Sequence, residues 1–176
     1  MSQLIYSNPM VYAENLDRFW TVVTGDQQIP PVATDARGYV GLKFQDDSTK
    51  LVYIVNVENI SNVTGVYIYQ GDKNQNGSVL LDLLNGTREL KKEVPKIVNI
   101  NQEGKITGTL SIGGVSKDDL QGQLKGKSLS DLHNLMVDGT IYIGINTKDF
   151  PSGEIRGDSF VGIDRLFPDF SDIQWD

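Results

Sequence analysis

The sequence has no cysteine and a single histidine, His133. Without cysteine, disulfides, thiolate metal sites and thiol catalysis are all excluded. A site that needs two imidazoles is excluded as well, and no Ser-His-Asp or Cys-His set is identified around His133. A pair of catalytic carboxylates stays open, because 23 acidic residues always offer some pair, but nothing singles one out. The sequence therefore predicts a protein that is not an enzyme.

Positive charge and long apolar runs are also scarce. Lysine and arginine total 16 against 23 acidic residues, which gives a formal net charge of -7. Since such a surface repels phosphates and no basic cluster stands out, we predict no nucleic-acid partner. No apolar run approaches the roughly 18 residues of a membrane span, so no transmembrane segment is predicted. The opening residues show no signal peptide, so the chain either stays inside the cell or has lost a leader.

The sequence does contain strand-like alternation, over a length that suits one domain. Turn-forming residues separate the alternating segments, among them Gly113-Gly114 and Pro151-Ser152-Gly153. This spacing is typical of an all-β sandwich or barrel. The predicted strands are Phe19–Thr24, Ala36–Gln45, Lys50–Glu58, Thr64–Tyr69, Ser78–Leu84, Ile97–Ile100, Gly104–Ile112, Thr140–Asn146 and Glu154–Phe160.

Residues 128–137 have the pattern of one short helix. Ser128 is a candidate N-cap, and Asp138-Gly139 follows the last turn. The apolar stripe between them consists of Leu129, Leu132 and Met136. His133 borders this stripe, and we interpret it as a cap-side or surface residue, because no second histidine supports a role as a ligand.

The two ends of the chain, residues 1–18 and 161–176, fall outside the regular pattern. The first is apolar in patches, and the second mixes aromatic residues with aspartates. A solvated tail rarely carries that many large apolar groups, so we expect both ends to pack on something. That surface belongs either to their own domain or to a neighbouring subunit, where strand donation to an exposed sheet edge is one arrangement.

Three blocks of sequence lie between these ends in a fixed order. They are Gly25–Gly38, Asn59–Gly71 and Asp119–Gly157. The third is the most specific, because it ends on Pro151-Ser152-Gly153-Glu154-Ile155-Arg156-Gly157. Together the blocks resemble the CHRD (chordin) domain family over residues 19–160.

This resemblance implies a Greek-key β-sandwich or barrel, immunoglobulin-like or superoxide-dismutase-like, and no established reaction. It also implies a place outside the cell, because such domains occur in chordin-like extracellular proteins and in surface- or spore-associated proteins of bacteria and archaea. Where the family usually has three histidines, this chain has Tyr67, Tyr69 and Asn146. Three imidazoles could bind zinc or copper, whereas a phenol with a pKa of about 10 and an amide oxygen bind them poorly. We interpret the three residues as a hydrogen-bonded aromatic patch.

The same patch supplies candidate binding residues. Alternation places Tyr67 and Tyr69 on one face of their strand, and Asn146 shares a face with Tyr142. Together with Trp175, these four are the predicted contacts for a protein or glycan ligand. Nearby in the motif, Glu154 and Arg156 point to one face, which predicts a structural salt bridge or an arginine anchored to a carbonyl.

One loop offers a series of oxygen ligands. Asp72, Asn74 and Asn76 alternate before a glycine, as in calcium loops. The match then fails, since position twelve is Leu83 and the remaining nearby carboxylate is Asp82. The loop is therefore either a calcium site of Asp72, Asn74, Asn76 and Asp82 or an Asx-rich hairpin loop. Calcium is the single cofactor that the sequence suggests.

Two functions are compatible with these features. The first is a non-catalytic extracellular or surface-associated structural module, which assembles with copies of itself through its ends or edge strands. The alternative is a protein- or glycan-binding module of chordin-like type. Both predict a location outside the cell or on the surface of a cell or spore.

Overall fold

The computed structural model describes residues 17–45, 47–85, 98–101 and 103–162. These residues form ten strands, one α-helix and three short 3-10 turns. The strands are β1 (Arg18–Thr24), β2 (Arg37–Gln45), β3 (Lys50–Ile60), β4 (Val63–Gln70), β5 (Val79–Asp82), β6 (Val98–Ile100), β7 (Ile106–Val115), β8 (Ile141–Thr147), β9 (Ile155–Gly157) and β10 (Val161–Gly162). The helix, α1, spans Leu129–Val137 and follows β7 in the chain. The prediction of an all-β fold with one short helix is confirmed over this part of the chain.

All ten strands belong to one curled antiparallel sheet. Its order is β5-β4-β8-β9-β1-β2-β3-β7-β6, and β10 pairs with β1 beside β9. The curl brings the two ends of the sheet together. The contact is shown by the Ser111 hydroxyl of β7, which donates to the carbonyls of Leu83 and Leu84 just after β5, at 2.8 and 3.2 Å. The molecule therefore has the form of a half-barrel with its apolar side chains inside.

The inner face of the sheet forms the hydrophobic core. In β3, for example, Leu51, Tyr53 and Val55 are fully or almost fully buried in it. Burial of this kind stabilises the fold by about 25 cal/mol for each Å² of apolar surface removed from water. Gly113, which the sequence predicted to lie in a turn, sits within β7 opposite Tyr53, where a Cβ atom would come 2.7 Å from the Tyr53 hydroxyl. The prediction of a Gly113-Gly114 turn is therefore wrong.

Helix α1 closes one side of the core. Ser128 caps it in a capping box, in which the Asp131 backbone N–H donates to the Ser128 hydroxyl and the Ser128 backbone N–H donates to the Asp131 carboxylate. The predicted stripe of Leu129, Leu132 and Met136 is buried. His133 lies edge-on to the rings of Phe19 and Phe44, with centroids 5.3 and 5.0 Å away, so this half-buried side chain packs on the rim of the core.

Strand lengths differ from the predictions where side chains bond to the backbone. Strand β5 ends at Asp82, because the Asp82 carboxylate accepts from the backbone N–H groups of Leu84 and Asn85 and bends the chain there. The strand predicted over residues 154–160 is only Ile155–Gly157, and β10 follows it. The sheet thus reaches Gly162, two residues beyond the predicted boundary at 160. Of the predicted terminal extensions, residues 1–16 and 163–176 lie outside the described residues.

Candidate functional site

The predicted aromatic patch, Tyr67, Tyr69 and Asn146, lies on the outer face of the β4-β8-β9 part of the sheet. The register of the β4-β8 pair places Tyr69 opposite Tyr142 and Tyr67 opposite Gly144. Arg156 of β9 lies opposite Gly144 on its other side. Neighbouring positions in the sheet point to the same face, so β4, β8 and β9 bring these side chains into one layer.

Aromatic rings fill this layer. Tyr69 stacks on Tyr142 with the ring centroids 5.0 Å apart and the planes 10° apart, and Tyr67 meets Tyr69 edge-on at 5.7 Å. Gly144 makes room for the stack, because a Cβ atom there would lie 2.9 Å from the Tyr69 ring. Contacts of this kind contribute about 0.5–1.5 kcal/mol per pair beyond their burial. The layer is therefore packed like a small core on the outside of the sheet.

Arg156 covers the opposite face of Tyr142. Its guanidinium carbon lies 3.6 Å from the Tyr142 ring centroid, and its side chain is fully buried. Its Nη2 donates to the carbonyls of Asp72 and Gln75 at 2.6 and 3.1 Å. Burial lowers the pKa of Arg156 from its ordinary value, yet a guanidinium stays protonated in proteins. Arg156 therefore acts as a buried cation that ties the loop after β4 to the aromatic layer.

Tyr142 forms a second tie between the same two structures. Its hydroxyl accepts a hydrogen bond from the Gly77 backbone N–H at 3.1 Å. The side chain is 5% exposed, between Tyr69 on one side and Arg156 on the other. The prediction that Tyr142 is a ligand contact needs correction, because neither face of its ring is open. Tyr67 and Tyr69 are half-buried, and Trp175 lies outside the described residues.

Asn146 completes the layer through hydrogen bonds. Its Nδ2 donates to the Tyr69 hydroxyl and to the Pro151 carbonyl, both at 3.0 Å. Burial raises the pKa of Tyr69 above 10, so the phenolate that a metal ion would need is disfavoured. Tyr69 and Asn146 are thus joined by hydrogen bonding, and Tyr67 adjoins them through its ring contact with Tyr69. This is the arrangement of a hydrogen-bonded aromatic patch.

The loop with the calcium-like spacing has its oxygens directed to other partners. Asn76 Oδ1 accepts from Arg156 Nη1 at 3.0 Å, and Asp72 Oδ1 accepts from the Asn74 backbone N–H at 2.8 Å. The Asn76 amide also donates to the Ile29 carbonyl, which connects the loop to the segment between β1 and β2. Among the described residues, the guanidinium is the cation that the loop surrounds.

Asp82 does not join the Asp72–Asn76 loop. It lies opposite Tyr67, at the far end of the β4-β5 hairpin. Its carboxylate accepts hydrogen bonds there from the backbone N–H groups of the turn after β5. The predicted set of Asp72, Asn74, Asn76 and Asp82 therefore needs correction as a single site. Over the described residues, no three His, Cys, Asp or Glu side chains are grouped so that they could hold a metal ion.

Glu154 and Arg156 do not pair with each other in the described structure. The Glu154 carboxylate accepts from the hydroxyls of Thr34 and Thr147, at 2.7 and 2.8 Å. Arg156 takes the other predicted role, that of an anchor to carbonyls. Sequence reasoning left Arg156 out of the candidate site, although a charged residue between Ile155 and Gly157 in a specific motif was the signal that could have placed it there.

One of three comparisons with known proteins gives a match. The family model described as CHRD domain matches residues 19–158. A comparison with curated proteins found no match, and neither did one with solved structures. The described part of the chain contains no helix with the length and apolar composition that a membrane span requires. The matched residues contain β2 to β9, all of β1 except Arg18, the aromatic layer and Arg156, so the chain belongs to the CHRD domain family.

Proposed function

We propose that this chain is a non-catalytic structural module that works outside the cell or on a cell or spore surface and assembles with copies of itself. The observation that carries the non-catalytic part is the aromatic layer on β4, β8 and β9. Its polar groups are directed to one another and to the loop: Arg156 to Asn76 and two carbonyls, Asn146 to Tyr69, and Tyr142 to Gly77. Groups bound in this way stabilise the fold and are not available to a substrate.

Family membership supports the location. CHRD domains form a family of non-enzymatic modules that are typically extracellular. The absence of cysteine is compatible with an oxidising exterior, because no thiol is present to be oxidised. Protease treatment of intact cells or spores of the source organism, followed by immunoblotting for the chain, tests the location. Protection of the chain until the cells are lysed would contradict it.

Strand β6 supports assembly. It is the last strand of the sheet, and no described strand pairs with its outer edge. Its last residue, Ile100, is 67% exposed. At the opposite end of the sheet, the edge of β5 is covered, because the Gln121 backbone N–H donates to the Leu80 carbonyl. An open edge with an exposed apolar side chain is a template for pairing with another chain.

Light scattering coupled to size-exclusion chromatography tests this proposal. The full chain is expected to elute as an oligomer, and Ile100→Lys is expected to shift it toward monomer without loss of folding. The matched control is Val137→Lys, which introduces the same charge at a partly exposed position on α1, away from the edge. A monomer at all concentrations for the unchanged chain would contradict assembly.

A second candidate function is the binding of a protein or glycan by Tyr67 and Tyr69. The half-buried rings of these residues on the outer face are the observation that favours it. A glycan array or pull-down that gives a ligand for the unchanged chain should lose that ligand with Tyr67→Ala. The control Tyr39→Ala changes an exposed tyrosine of β2 and should keep it. Equal binding by both variants would reject the patch as the binding surface.

We propose no calcium site in the Asp72–Asn76 loop. The carbonyls of Asp72 and Gln75 and the Asn76 side-chain oxygen already surround the Arg156 guanidinium. A calcium ion at the same oxygens would lie beside a buried positive charge, which is unfavourable.

A further inference from the structure

Tripeptides of the form Asn-x-Ser/Thr, in which x is any residue except proline, are the acceptor sequence for N-linked glycans in exported proteins. This chain contains four of them, which begin at Asn59, Asn62, Asn76 and Asn85. So short a sequence also arises by chance. A tripeptide becomes a site where the folded chain leaves the asparagine amide and the hydroxyl open to a transferase, and the four differ in this respect.

Asn62 lies in the two-residue connection between β3 and β4, which consists of Ser61 and Asn62. Its side chain is exposed, and within the described part of the chain its side-chain amide has no hydrogen-bond partner. The backbone at Asn62 is held in place, since its carbonyl accepts from the Lys148 backbone N–H at 3.0 Å. Its φ angle is +53°, in the left-handed region that asparagine adopts more readily than most residues. The connection therefore presents an unbound amide on a fixed backbone.

Thr64, the third residue of this tripeptide, is exposed as well. The register of the β4-β8 pair shifts between Val63, which lies opposite Thr147, and Gly65, which lies opposite Asn146. A shift of this kind breaks the regular alternation of side chains and re-aims the residue within it. Val63 packs against the hydrophobic core, while Thr64 faces solvent. The apolar middle residue thus anchors the tripeptide, and both of its polar residues are accessible.

The other three asparagines are less suitable acceptors. The side chain of Asn76 is bound at both of its polar atoms in the candidate functional site. Asn59 is half-buried, and Ile60, the middle residue of its tripeptide, is fully buried. The Asn85 side-chain amide donates to the Asp82 carboxylate at 3.3 Å, and its tripeptide ends at residue 87, outside the described residues. Asn62 is therefore the acceptor that the folded structure favours.

We propose that Asn62 carries an N-linked glycan. The proposal rests on the location outside the cell proposed above, because glycans of this kind are attached to exported chains. The donor is an oligosaccharide joined through the anomeric carbon of its first sugar to a lipid phosphate or pyrophosphate. Asn62 Nδ2 forms the new bond to that carbon, the bond from the carbon to the phosphate oxygen breaks, and the lipid phosphate or pyrophosphate leaves. Nδ2 gives up one proton to a base of the transferase, and it keeps the other.

Mass spectrometry of the chain isolated from its source organism tests the proposal. The proteolytic peptide that contains Asn62 should be heavier than its sequence by the mass of a glycan, and the peptide that contains Asn76 should have its sequence mass. An unmodified Asn62 overturns the proposal. The protease treatment of intact cells or spores then separates the two failures. A chain that is cleaved from outside but unmodified at Asn62 leaves the proposed location intact, whereas a protected chain shows that the location is wrong as well.

Two variants of Thr64 show whether the modification follows the acceptor sequence. The folded recombinant chain is incubated with a purified oligosaccharyltransferase and its lipid-linked oligosaccharide, and the peptides are again weighed. Thr64→Ser keeps the hydroxyl and should keep the glycan on Asn62, whereas Thr64→Val has nearly the same shape without the hydroxyl and should lose it. The matched control is Ser78→Ala, which removes the exposed hydroxyl of the Asn76 tripeptide and should leave the Asn62 glycan in place. Circular dichroism checks that all three variants fold.

Three results of this experiment would overturn the assignment of Asn62. The first is a glycan that stays on Asn62 in Thr64→Val. The second is modification of Asn76 in the folded chain to the same extent as Asn62. The third is a folded chain that accepts no glycan on Asn62 while a synthetic peptide of residues 58–66 accepts one under the same conditions.

Discussion

Arg156 combines more interactions than any other side chain of the candidate site. It is fully buried, contacts the Tyr142 ring and donates to Asn76 and to two backbone carbonyls of one loop. A metal ion in a loop of this kind would draw the oxygens together by charge. Here the guanidinium has that role, so the cation that organises the loop is part of the chain.

We predict that Arg156→Ala lowers the free energy of unfolding by on the order of 3 kcal/mol, because it removes a fully buried side chain and its three hydrogen bonds to the loop. Urea denaturation measures the change. Arg37→Ala is the control, since Arg37 forms an exposed ion pair with Glu58, and such pairs contribute little. Equal losses for the two variants would mean that the buried anchor is energetically unimportant.

Tyr69 gives a prediction about alkaline pH. Burial raises the pKa of its hydroxyl in the folded state above the value of about 10 in the unfolded chain. The folded state therefore binds more protons above that pH, and the free energy of unfolding should fall as the pH rises through and beyond 10. Comparison of urea denaturation at about pH 9 and about pH 11 should show a smaller fall for Tyr69→Phe, which has no hydroxyl to ionise. The same fall in both proteins would show that other groups cause it.

Gly153 belongs to the motif that carries the family resemblance, and its backbone explains why glycine is needed. Its φ angle is +124°, and a Cβ atom there would collide with the Gln28 side-chain amide. We predict that Gly153→Ala destabilises the fold by about 1–3 kcal/mol. Gly126→Ala is the control, because Gly126 also has a positive φ of +79° but has nothing within 4 Å of the added atom. Thermal denaturation should show the larger loss for Gly153→Ala, and the reverse order would contradict the collision.

Among the secondary-structure elements, α1 shows how a short helix is specified locally. Its capping box satisfies backbone N–H groups that a nine-residue helix leaves unpaired at its first turn. We predict that Ser128→Ala lowers the free energy of unfolding by about 1 kcal/mol. The control is Ser130→Ala, at an exposed position two residues after the cap. It should be close to neutral or slightly stabilising, since alanine is the better helix former. Thermal denaturation of both variants checks the difference, and a larger loss for Ser130→Ala would contradict the role of the cap.

Strand β9 has an importance for the sheet that its three residues do not suggest. It pairs with β8 on one side and with β1 on the other, so it joins the two parts of the curled sheet. Arg156 is its central residue, so the aromatic layer on β4 and β8 adjoins β1 at this position. The motif around Arg156 is specific because it must form a turn, a joining strand and an anchor within seven residues.

For the molecule as a whole, we expect stability that does not depend on metal ions. The Arg156 guanidinium lies among the loop oxygens, where a metal ion would otherwise bind. The raised pKa of Tyr69 keeps its hydroxyl neutral. The melting temperature should be the same in excess chelator and in millimolar calcium, and elemental analysis of purified protein should find no stoichiometric copper or zinc. A melting temperature that rises with calcium would contradict this expectation and would indicate that the Asp72–Asn76 loop binds the ion.

The sequence alone was sufficient for the features that depend on neighbouring residues. Strand alternation, the capped helix over 128–137 and the CHRD motif each follow from local chemistry. The structure confirms the fold class, and the match to the family model confirms the family. The face shared by Tyr67 and Tyr69 was also predictable, because alternation in a strand has a period of two residues.

Only the tertiary structure could decide which distant groups meet. Arg156 is 80 residues from Asn76, and no local pattern indicates that its guanidinium, not a calcium ion, would be bound by the loop. Likewise, Tyr142 is buried because β9 places Arg156 against its ring, and Asp82 is separated from the loop because the β4-β5 hairpin holds the two at opposite ends. Local sequence fixes which face a side chain takes in its strand, whereas strand order and register determine what it contacts.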